Sequence, residues 1–166
     1  MKRENPPTKL KFRVRKALNP DVKEIQKLIN HFASEGLMLS RSLSELFDTL
    51  RDFHVCLSEE EIVGVCALHV VWEDFAEIKS LAVAPQYHRQ GIGKELVRAS
   101  LNEAVSLNIK HVFTLTYKPE FFEKFGFHVV EKDILPHKVW GECIKCVKFP
   151  DCNEVALICD LEGKNS

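Results

Sequence analysis

Short stretches of apolar residues, several of them alternating with polar ones, predict seven strands. Alternation has the two-residue period of a strand with one buried face. The predicted strands cover residues 12–17, 53–57, 62–71, 75–83, 111–116, 127–131 and 155–159. The second, third and fourth follow one another closely, so they are expected to form a meander.

Apolar residues at three- and four-residue spacing predict helices between these strands. The first helix follows Asn19-Pro20, which is typical of an N-cap with proline in the first turn, and Gly36 ends it. The second begins at a capping box formed by Ser42 and Glu45. The buried stripes are predicted to be Val22, Ile25, Leu28, Ile29 and Phe32 in the first helix, and Leu43, Leu46, Phe47 and Leu50 in the second.

A longer helix is predicted over residues 95–107 and a short one over 119–125. The longer helix continues a stripe that contains Gly93, Leu96, Val97, Ser100, Leu101, Ala104 and Leu107. The order is therefore β-α-α-β-β-β-α-β-α-β, followed by a loop and a last strand. This order predicts an α/β fold, as a single domain over residues 11–166 after a flexible tail over residues 1–10.

Composition is that of an ordinary globular chain. Of the 166 residues, 45% are hydrophobic and 28% are charged, and the net charge is −1. This balance argues against nucleic acid as the main partner. No apolar run approaches the length of a membrane span, and the polar N-terminus lacks the apolar core of a secretory signal. With six cysteines in such a chain, we expect a cytoplasmic protein with free thiols.

The most distinctive motif joins the fourth predicted strand to the long helix, and it reads Tyr87-His88-Arg89-Gln90-Gly91-Ile92-Gly93-Lys94. A strand, a tight turn and a helix in this order direct the unpaired N–H groups of the helix start at one point, where an anion is favoured. Gly91 and Gly93 allow a close approach, and Arg89 and Lys94 add positive charge. The motif predicts a diphosphate site; a plain turn is the alternative.

This motif resembles the acetyl-CoA pyrophosphate loop of the GNAT acyltransferases, whose usual pattern is Arg/Gln-x-x-Gly-x-Gly/Ala. The chain departs from it in having His88 at the Arg/Gln position. The order of elements is also that of the GNAT fold. The resemblance implies a mixed, mostly antiparallel sheet with a splayed central strand pair and helices on both faces. It also implies acetyl-CoA as co-substrate, with the pantetheine arm pairing along residues 78–83.

By the same resemblance, the cofactor contacts fall on this strand, the loop and the short helix. A backbone N–H of the strand would hold the thioester oxygen. Leu81 and Val83 would meet the acetyl and pantetheine end, or they are simple core residues. The expected cofactor-binding residues are Leu81, Ala82, Val83, His88, Arg89, Gln90, Gly91, Ile92, Gly93, Lys94 and Phe122.

Other segments carry a narrower resemblance. They cover residues 39–42, 76–83, 114–117, 121–127, 135–140 and 143–157. Together they look like the acetyltransferase domain of N-acetylglutamate synthases, in the short form without an amino-acid-kinase domain. This implies acetyl transfer to the α-amine of L-glutamate, the first step of arginine biosynthesis. The alternatives are a GNAT enzyme for another amino acid, amine or peptide N-terminus, and a degenerate acyl-CoA-binding interaction module.

Glutamate brings two carboxylates, which favour Arg or Lys in a partly closed site. Arg41 comes just before a capped helix, Lys79 lies on the cofactor strand, and Lys138 lies on the long loop before the last strand. These three are the expected substrate-binding residues. The alternative for each is a solvated surface cation.

Acetyl transfer also needs a base, because an α-amino group is mostly protonated at pH 7. Glu77 is the predicted base, and alternation would place it on the face of Lys79, Leu81 and Val83; a structural ion pair is the alternative. Phe122 occupies the place where many GNAT enzymes have a tyrosine that protonates the thiolate. Tyr117 is therefore the candidate acid, unless the thiolate leaves unaided.

Cys143, Cys146 and Cys152 resemble part of a zinc site, with His137 or Cys159 as a fourth ligand. Free thiols that hold a turn are favoured, so no metal is expected and zinc is the alternative. The sequence leaves the oligomeric state open, with a homodimer among the options.

Overall fold

Seven strands form one open sheet in the computed structural model, which describes residues 11–136 and 153–162. The strands are β1 (Phe12–Lys16), β2 (Phe53–Ser58), β3 (Glu61–Val70), β4 (Phe75–Val83), β5 (His111–Thr116), β6 (His128–Val130) and β7 (Val155–Asp160). Their order across the sheet is β1-β2-β3-β4-β5-β7-β6. The β4–β5 pair is parallel and the other pairs are antiparallel, which confirms the predicted mixed, mostly antiparallel sheet.

Helices occupy the predicted places between these strands. They are α1 (Val22–Ser34), α2 (Leu43–Asp48), α3 (Ile92–Ser106) and α4 (Pro119–Glu123). Short 3-10 turns cover Asn19–Asp21, Leu50–Asp52, Pro85–Tyr87 and Lys132–Ile134. Within the described residues, none of the helices has both the length and the apolar character that crossing a bilayer requires.

The two faces of the sheet carry separate hydrophobic cores, so the helices lie on both faces as expected. On one face, Leu96 and Val97 of α3 and Phe122 of α4 are buried in the first core. On the other, Ile25 and Ile29 of α1 and Leu46 of α2 are buried with strand residues such as Val55 and Val65. Full burial of one such aliphatic side chain contributes about 1.5–3 kcal/mol, so both layers are held chiefly by apolar burial.

The first turn of α3 packs directly on β3. A Cβ atom at Gly64 would lie 2.8 Å from Cγ2 of Ile92 and 2.9 Å from Cδ1 of Leu96. Real Cβ atoms do not approach other carbons this closely, so only glycine allows the helix to pack at this depth. The position of the α3 N-terminus is therefore set by its contact with the sheet.

The predicted buried face of α2 is partly wrong. Leu46 is buried, but Leu43 is 37% exposed and Phe47 is 52% exposed. Successive helical residues are rotated by about 100°, so Leu43 lies about 60° and Phe47 about 100° away from the direction of Leu46. The helix also ends at Asp48, so Leu50 is buried from the following 3-10 turn rather than from α2.

A bulge interrupts β4 in its middle. Lys79 is paired with Ala67 and Ala82 with Val65, so Ser80 and Leu81 together lie opposite Cys66. Ser80 has a φ of 54°, in the left-handed region that non-glycine residues rarely adopt. One extra residue shifts the alternation of all later side chains in the strand.

Candidate functional site

β4 and β5 separate after a short paired stretch and leave a cleft. Three residues of each strand pair, from Phe75 with His111 to Glu77 with Phe113. The hydroxyl of Thr114 then donates to the carbonyl oxygen of Ile78 at 2.9 Å. Beyond this point lies a cleft of about 1070 Å³. The predicted splayed central pair is confirmed, and the cleft is its consequence.

The edge of β4 presents backbone groups to this cleft. The N–H of Ala84 donates to the carbonyl oxygen of Val63 at 2.8 Å, so Ala84 is turned towards β3. Neighbouring residues of a strand direct their backbone groups to opposite sides, so the N–H and C=O of Val83 are turned towards the cleft. An extended ligand that contains amides can pair with this edge like an added strand.

The bulge at Ser80 overturns the expected face of Glu77. Leu81 and Val83 pack against the core that contains Ile78, on the α3 side of the sheet. Glu77 and Ile78 are neighbours in regular strand before the bulge, so their side chains lie on opposite faces. The prediction that Glu77 shares a face with Leu81 and Val83 is therefore wrong, because it counted straight through an irregular strand.

Glu77 nevertheless lies at the inner end of the cleft. It is the last β4 residue that pairs with β5, it lines the cleft, and it is 7% exposed. A carboxylate in this position is shielded from bulk water and lies next to the open edge of β4. It can accept a proton from an amine bound in the cleft.

The loop over residues 87–94, called the glycine loop below, directs the N-terminus of α3 at the other end of the cleft. Gly91 is the N-cap, with a φ of 84°, and Arg89 has a φ of 63°. The N–H of Glu95 donates to the carbonyl oxygen of Gly91 at 3.1 Å. The earlier helical N–H groups, from Ile92 to Lys94, have no acceptor within a helix turn and form an anion site. The helix begins three residues before the predicted start, because Gly91 rather than the apolar stripe determines it.

The side chains of His88 and Gln90, both in the glycine loop, form hydrogen bonds with nearby backbone carbonyl groups. Nε2 of His88 lies 2.6 Å from the carbonyl oxygen of Val83, and His88 also lines the cleft. Nε2 of Gln90 donates to the carbonyl oxygen of Gln86 at 3.4 Å. Gln90 does not line the cleft. Every other predicted cofactor-binding residue lines it: Leu81, Ala82, Val83, Arg89, Gly91, Ile92, Gly93, Lys94 and Phe122.

Arg41 lines the cleft from the loop between α1 and α2, and α1 fixes its backbone. The amide of Gln26 donates to the carbonyl oxygen of Arg41 at 3.1 Å. Oδ1 of Asn30 accepts from the N–H of Arg41 at 3.0 Å. The sequence did not predict the contacts of Gln26 and Asn30 with Arg41. These residues lie 15 and 11 positions before Arg41, and hydrophobic periodicity does not report contacts between polar residues so far apart.

Positive side chains dominate the described part of the cleft, although the whole chain is close to neutral. Two glutamates line it, Glu77 and Glu154, against seven lysine or arginine residues. These are Arg41, Lys79, Arg89, Lys94, Lys118, Lys124 and Lys132. Lys132 follows the last strand before the undescribed loop and was not predicted. The excess of cations favours ligands with several negative charges.

The candidate acid and the aromatic residue near it occupy different environments. Tyr117 directly follows β5, lines the cleft and is partly exposed. Phe122 also lines the cleft but is buried in the α3-side core, where its ring meets Phe121 and Phe127 edge-on. Tyr117 therefore places a residue with a hydroxyl group in the cleft lining, while Phe122 contributes an apolar wall.

Several predictions lie outside the described residues. These are the substrate contact of Lys138 and the zinc alternative at Cys143, Cys146 and Cys152, together with the tail over residues 1–10. Within residues 11–136 and 153–162, no group of three or more His, Cys, Asp or Glu side chains is arranged to hold a metal ion.

Known proteins share both the sequence and the fold. The model of the acetyltransferase (GNAT) family matches residues 20–127. An N-acetyltransferase of Chlorobaculum tepidum is 34% identical over 87% of this chain and 94% of its own length. An amino-acid acetyltransferase of Mycobacterium tuberculosis is 34% identical over 78% of this chain and 75% of its own length.

Solved structures agree with these matches. The N-acetylglutamate synthase of Neisseria gonorrhoeae, complexed with coenzyme A and N-acetyl-glutamate, has a TM-score of 0.83 at 27% identity; the match covers 91% of this chain and 35% of that one. A Mycobacterium tuberculosis protein in complex with CoA has a TM-score of 0.78 at 30% identity and covers 90% of this chain. The splayed sheet and the anion site at the start of α3 are thus found together with a family match over most of the chain. The protein belongs to the GNAT family and is an N-acetyltransferase.

Proposed function

We propose that the protein transfers the acetyl group of acetyl-CoA to the α-amine of L-glutamate. The observation that carries the proposal is the charge of the cleft, where seven cations and two carboxylates line the described part. Acetyl-CoA brings phosphates and glutamate brings two carboxylates, so both substrates need such surroundings. Support comes from the relatives named amino-acid acetyltransferase and from the synthase structure that holds coenzyme A and N-acetyl-glutamate.

In this proposal, acetyl-CoA lies along β4. Its diphosphate binds the N–H groups at the start of α3, with Arg89 and Lys94 beside them, and its pantetheine arm pairs with the β4 edge. A backbone N–H of the open β4 edge then donates to the thioester oxygen and stabilises the charge that develops there during attack.

Glutamate enters from the α1–α2 side, where Arg41 binds one of its carboxylates and Lys79 lies on the adjacent strand. Lys138, on the loop beyond the described residues, is the further proposed carboxylate contact. Arg41 suits this task because a guanidinium makes a planar, paired contact with a carboxylate. The hydrogen bonds from Gln26 and Asn30 tie the backbone of Arg41 to α1.

In the proposed reaction, the amine is first deprotonated and then attacks the thioester. The amine loses a proton to Glu77, directly or through water, and its nitrogen attacks the thioester carbon. A C–N bond forms, and the nitrogen of the tetrahedral intermediate gives its second proton to solvent. The intermediate then collapses and the C–S bond breaks. The thiolate takes a proton from Tyr117 or from water, and the products are N-acetylglutamate and coenzyme A. This would be the first step of arginine biosynthesis.

A coenzyme A release assay with each amino acid in turn tests the proposal. Glutamate should give the highest kcat/KM, with aspartate and glutamine well below it, because a shorter chain or a missing charge loses a carboxylate contact. Equal rates with all amino acids, or a preference for a cationic amine, would contradict the glutamate assignment. Absence of turnover together with tight binding of acetyl-CoA would favour a binding module.

A further inference from the structure

His88 contacts a backbone carbonyl group of β4, and phosphate binding does not require such a contact. Its Nε2 lies 2.6 Å from the carbonyl oxygen of Val83, the last residue of β4. A carbonyl oxygen can only accept, so Nε2 must carry a proton and donate it. The contact therefore fixes the Nε2–H form of the imidazole or its protonated form, and it joins the glycine loop to the end of the strand.

The acceptor is a backbone group of the cleft edge. The N–H of Ala84 is bonded to Val63 of β3 at 2.8 Å, so the carbonyl of Val83 is turned to the open side of β4. His88 thus occupies one of the two backbone groups that Val83 offers to an added strand. The N–H of Val83 is the other one, and no contact of His88 involves it.

A third element holds the imidazole ring. Phe32 of α1 lies nearly parallel to it, with an interplanar angle of 15° and a centroid distance of 6.3 Å. Both rings line the cleft. His88 thereby links α1, the end of β4 and the glycine loop at the place where an extended ligand must pass from the strand edge to the helix N-terminus.

We propose that His88 is a positioning residue that sets the distance between the β4 edge and the diphosphate site at the start of α3. The pantetheine arm then meets Val83 at its N–H, beside a carbonyl oxygen that already accepts one hydrogen bond from His88. His88 then contributes to affinity only when one ligand spans both regions. This inference rests on the proposed use of acetyl-CoA and is independent of the acceptor amino acid.

Two acyl donors separate positioning from direct contact. Acetyl-CoA spans the strand edge and the diphosphate site, whereas S-acetylpantetheine lacks the diphosphate and occupies only the strand edge. His88→Leu removes the donor and keeps an apolar side chain beside Phe32. His88→Gln keeps an N–H donor at the same number of bonds from Cα. His128→Leu is the control, because His128 is exposed on β6 and does not line the cleft.

We expect His88→Leu to raise KM for acetyl-CoA by about three- to tenfold, as loss of one hydrogen bond does, and to leave KM for S-acetylpantetheine within about twofold. His88→Gln should stay within about twofold of the wild type for both donors, as should His128→Leu. Imidazole ¹H–¹⁵N spectra of the ligand-free protein should show a proton on Nε2 of His88, a readout that requires no turnover.

Several results would overturn the inference. Unchanged KM for acetyl-CoA in His88→Leu would mean that the histidine is merely solvated. A lower KM for both donors would mean that His88 competes with the pantetheine arm. If His88→Gln raises KM for acetyl-CoA as much as His88→Leu does, the effect comes from imidazole charge acting on the phosphates. If the spectra show the Nδ1–H tautomer, the hydrogen bond from His88 to the Val83 carbonyl does not exist. If the wild type does not bind acetyl-CoA in calorimetry, the proposed function fails first.

Discussion

At the scale of single residues, access to the cleft separates the buried groups that a substrate can reach from those that only pack. Burial raises the pKa of the Cys66 thiol to about 12 and that of the Cys56 thiol to about 11. Both thiols therefore stay protonated near neutral pH and cannot act as nucleophiles. Glu77 is equally buried but lines the cleft, where a substrate can reach it. The proposed mechanism therefore uses the Glu77 carboxylate and neither of these two thiols.

Replacing Glu77 by Gln tests the proposed base. Glutamine keeps the size of the side chain but cannot take a proton, and a positioned base contributes about 10²–10⁴-fold to such reactions. We expect kcat to fall in that range, most at low pH where the amine is protonated, with acetyl-CoA affinity in calorimetry nearly unchanged. Glu120→Gln, at an exposed carboxylate of α4, is the control. Equal activity across the pH range would move the base to ordered water or another group.

Arg41→Ala tests the proposed carboxylate contact. A charge-assisted hydrogen bond contributes about 1.5–3 kcal/mol, so KM for glutamate should rise about tenfold or more while KM for acetyl-CoA stays within about twofold. Arg41→Lys should recover only part of the loss, because an ammonium cannot make the paired planar contact. If steady-state kinetics find both variants unchanged, the glutamate assignment is lost and only acetyl-CoA binding remains.

Asn30→Ala tests whether α1 positions Arg41. Asn30 does not line the cleft, but its side chain bonds the backbone N–H of Arg41 at 3.0 Å. Asn30→Ala removes this bond and a longer one, at 3.5 Å, from its amide to the Arg41 carbonyl oxygen. Loss of the shorter bond costs about 1 kcal/mol, so KM for glutamate should rise about fivefold without a change in KM for acetyl-CoA. The same substitution in an Arg41→Ala background should add little, because the two residues act through one contact. Fully additive effects in this double-mutant cycle would show that Asn30 acts elsewhere.

At the scale of elements, the sequence predicted what is periodic and missed what is irregular. Strands and helices follow from hydrophobic spacing, and the glycine loop follows from its two glycines between a strand and a helix. The bulge at Ser80 leaves no trace in the apolar pattern, so the faces of Glu77 and Leu81 were assigned wrongly. The bonds from Gln26 and Asn30 to Arg41 join residues far apart in sequence, which no local pattern reports.

The glycine loop gives a prediction at this scale. Gly91 has a φ of 84°, and a Cβ atom there would meet no atom within 4 Å because the position faces open space. Gly91→Val should strain the backbone by about 1–3 kcal/mol and place methyl groups where we propose that the diphosphate binds. Acetyl-CoA affinity in calorimetry should fall strongly. Gly36→Val is the matched control, with a φ of 73° and equally open space: it should lower Tm similarly but keep the affinity.

At the scale of the whole molecule, the cleft and one pH-dependent contribution to stability lie in different parts of the sheet. The cleft depends on the parting of β4 and β5. At the β1 edge of the sheet, Lys16 is ion-paired at 2.9 Å with Glu103 of α3, and His54 of β2 lies 3.7 Å from the same carboxylate. Lys16, His54 and Glu103 do not line the cleft. Their titration can therefore change stability while the substrate site stays intact.

His54 makes the stability of the fold depend on pH. It is 7% exposed, and in the described part of the chain its Nδ1 is a buried atom without a hydrogen-bond partner. Burial, and then the charge of Lys16, lower its pKa from the usual 6.5, although Glu103 opposes them. The unfolded chain therefore binds a proton more readily than the folded one, and stability is lost as pH falls from about 6.5 towards the lower folded pKa.

Denaturant unfolding of the wild type and of His54→Leu between pH 8 and pH 4 measures this dependence. The wild-type free energy of unfolding should be flat above about pH 7 and should fall below it by at most about 1.4 kcal/mol per pH unit, the limit for one proton. The Leu variant should lack this slope, because no group titrates at the position. The Asp21 carboxylate, whose pKa its bond with Arg15 lowers from 3.8, acts only at lower pH and is present in both proteins. A wild-type curve that stays flat down to pH 5, or an identical slope in the variant, would mean that His54 is protonated in the folded state at little cost and that Glu103 outweighs burial.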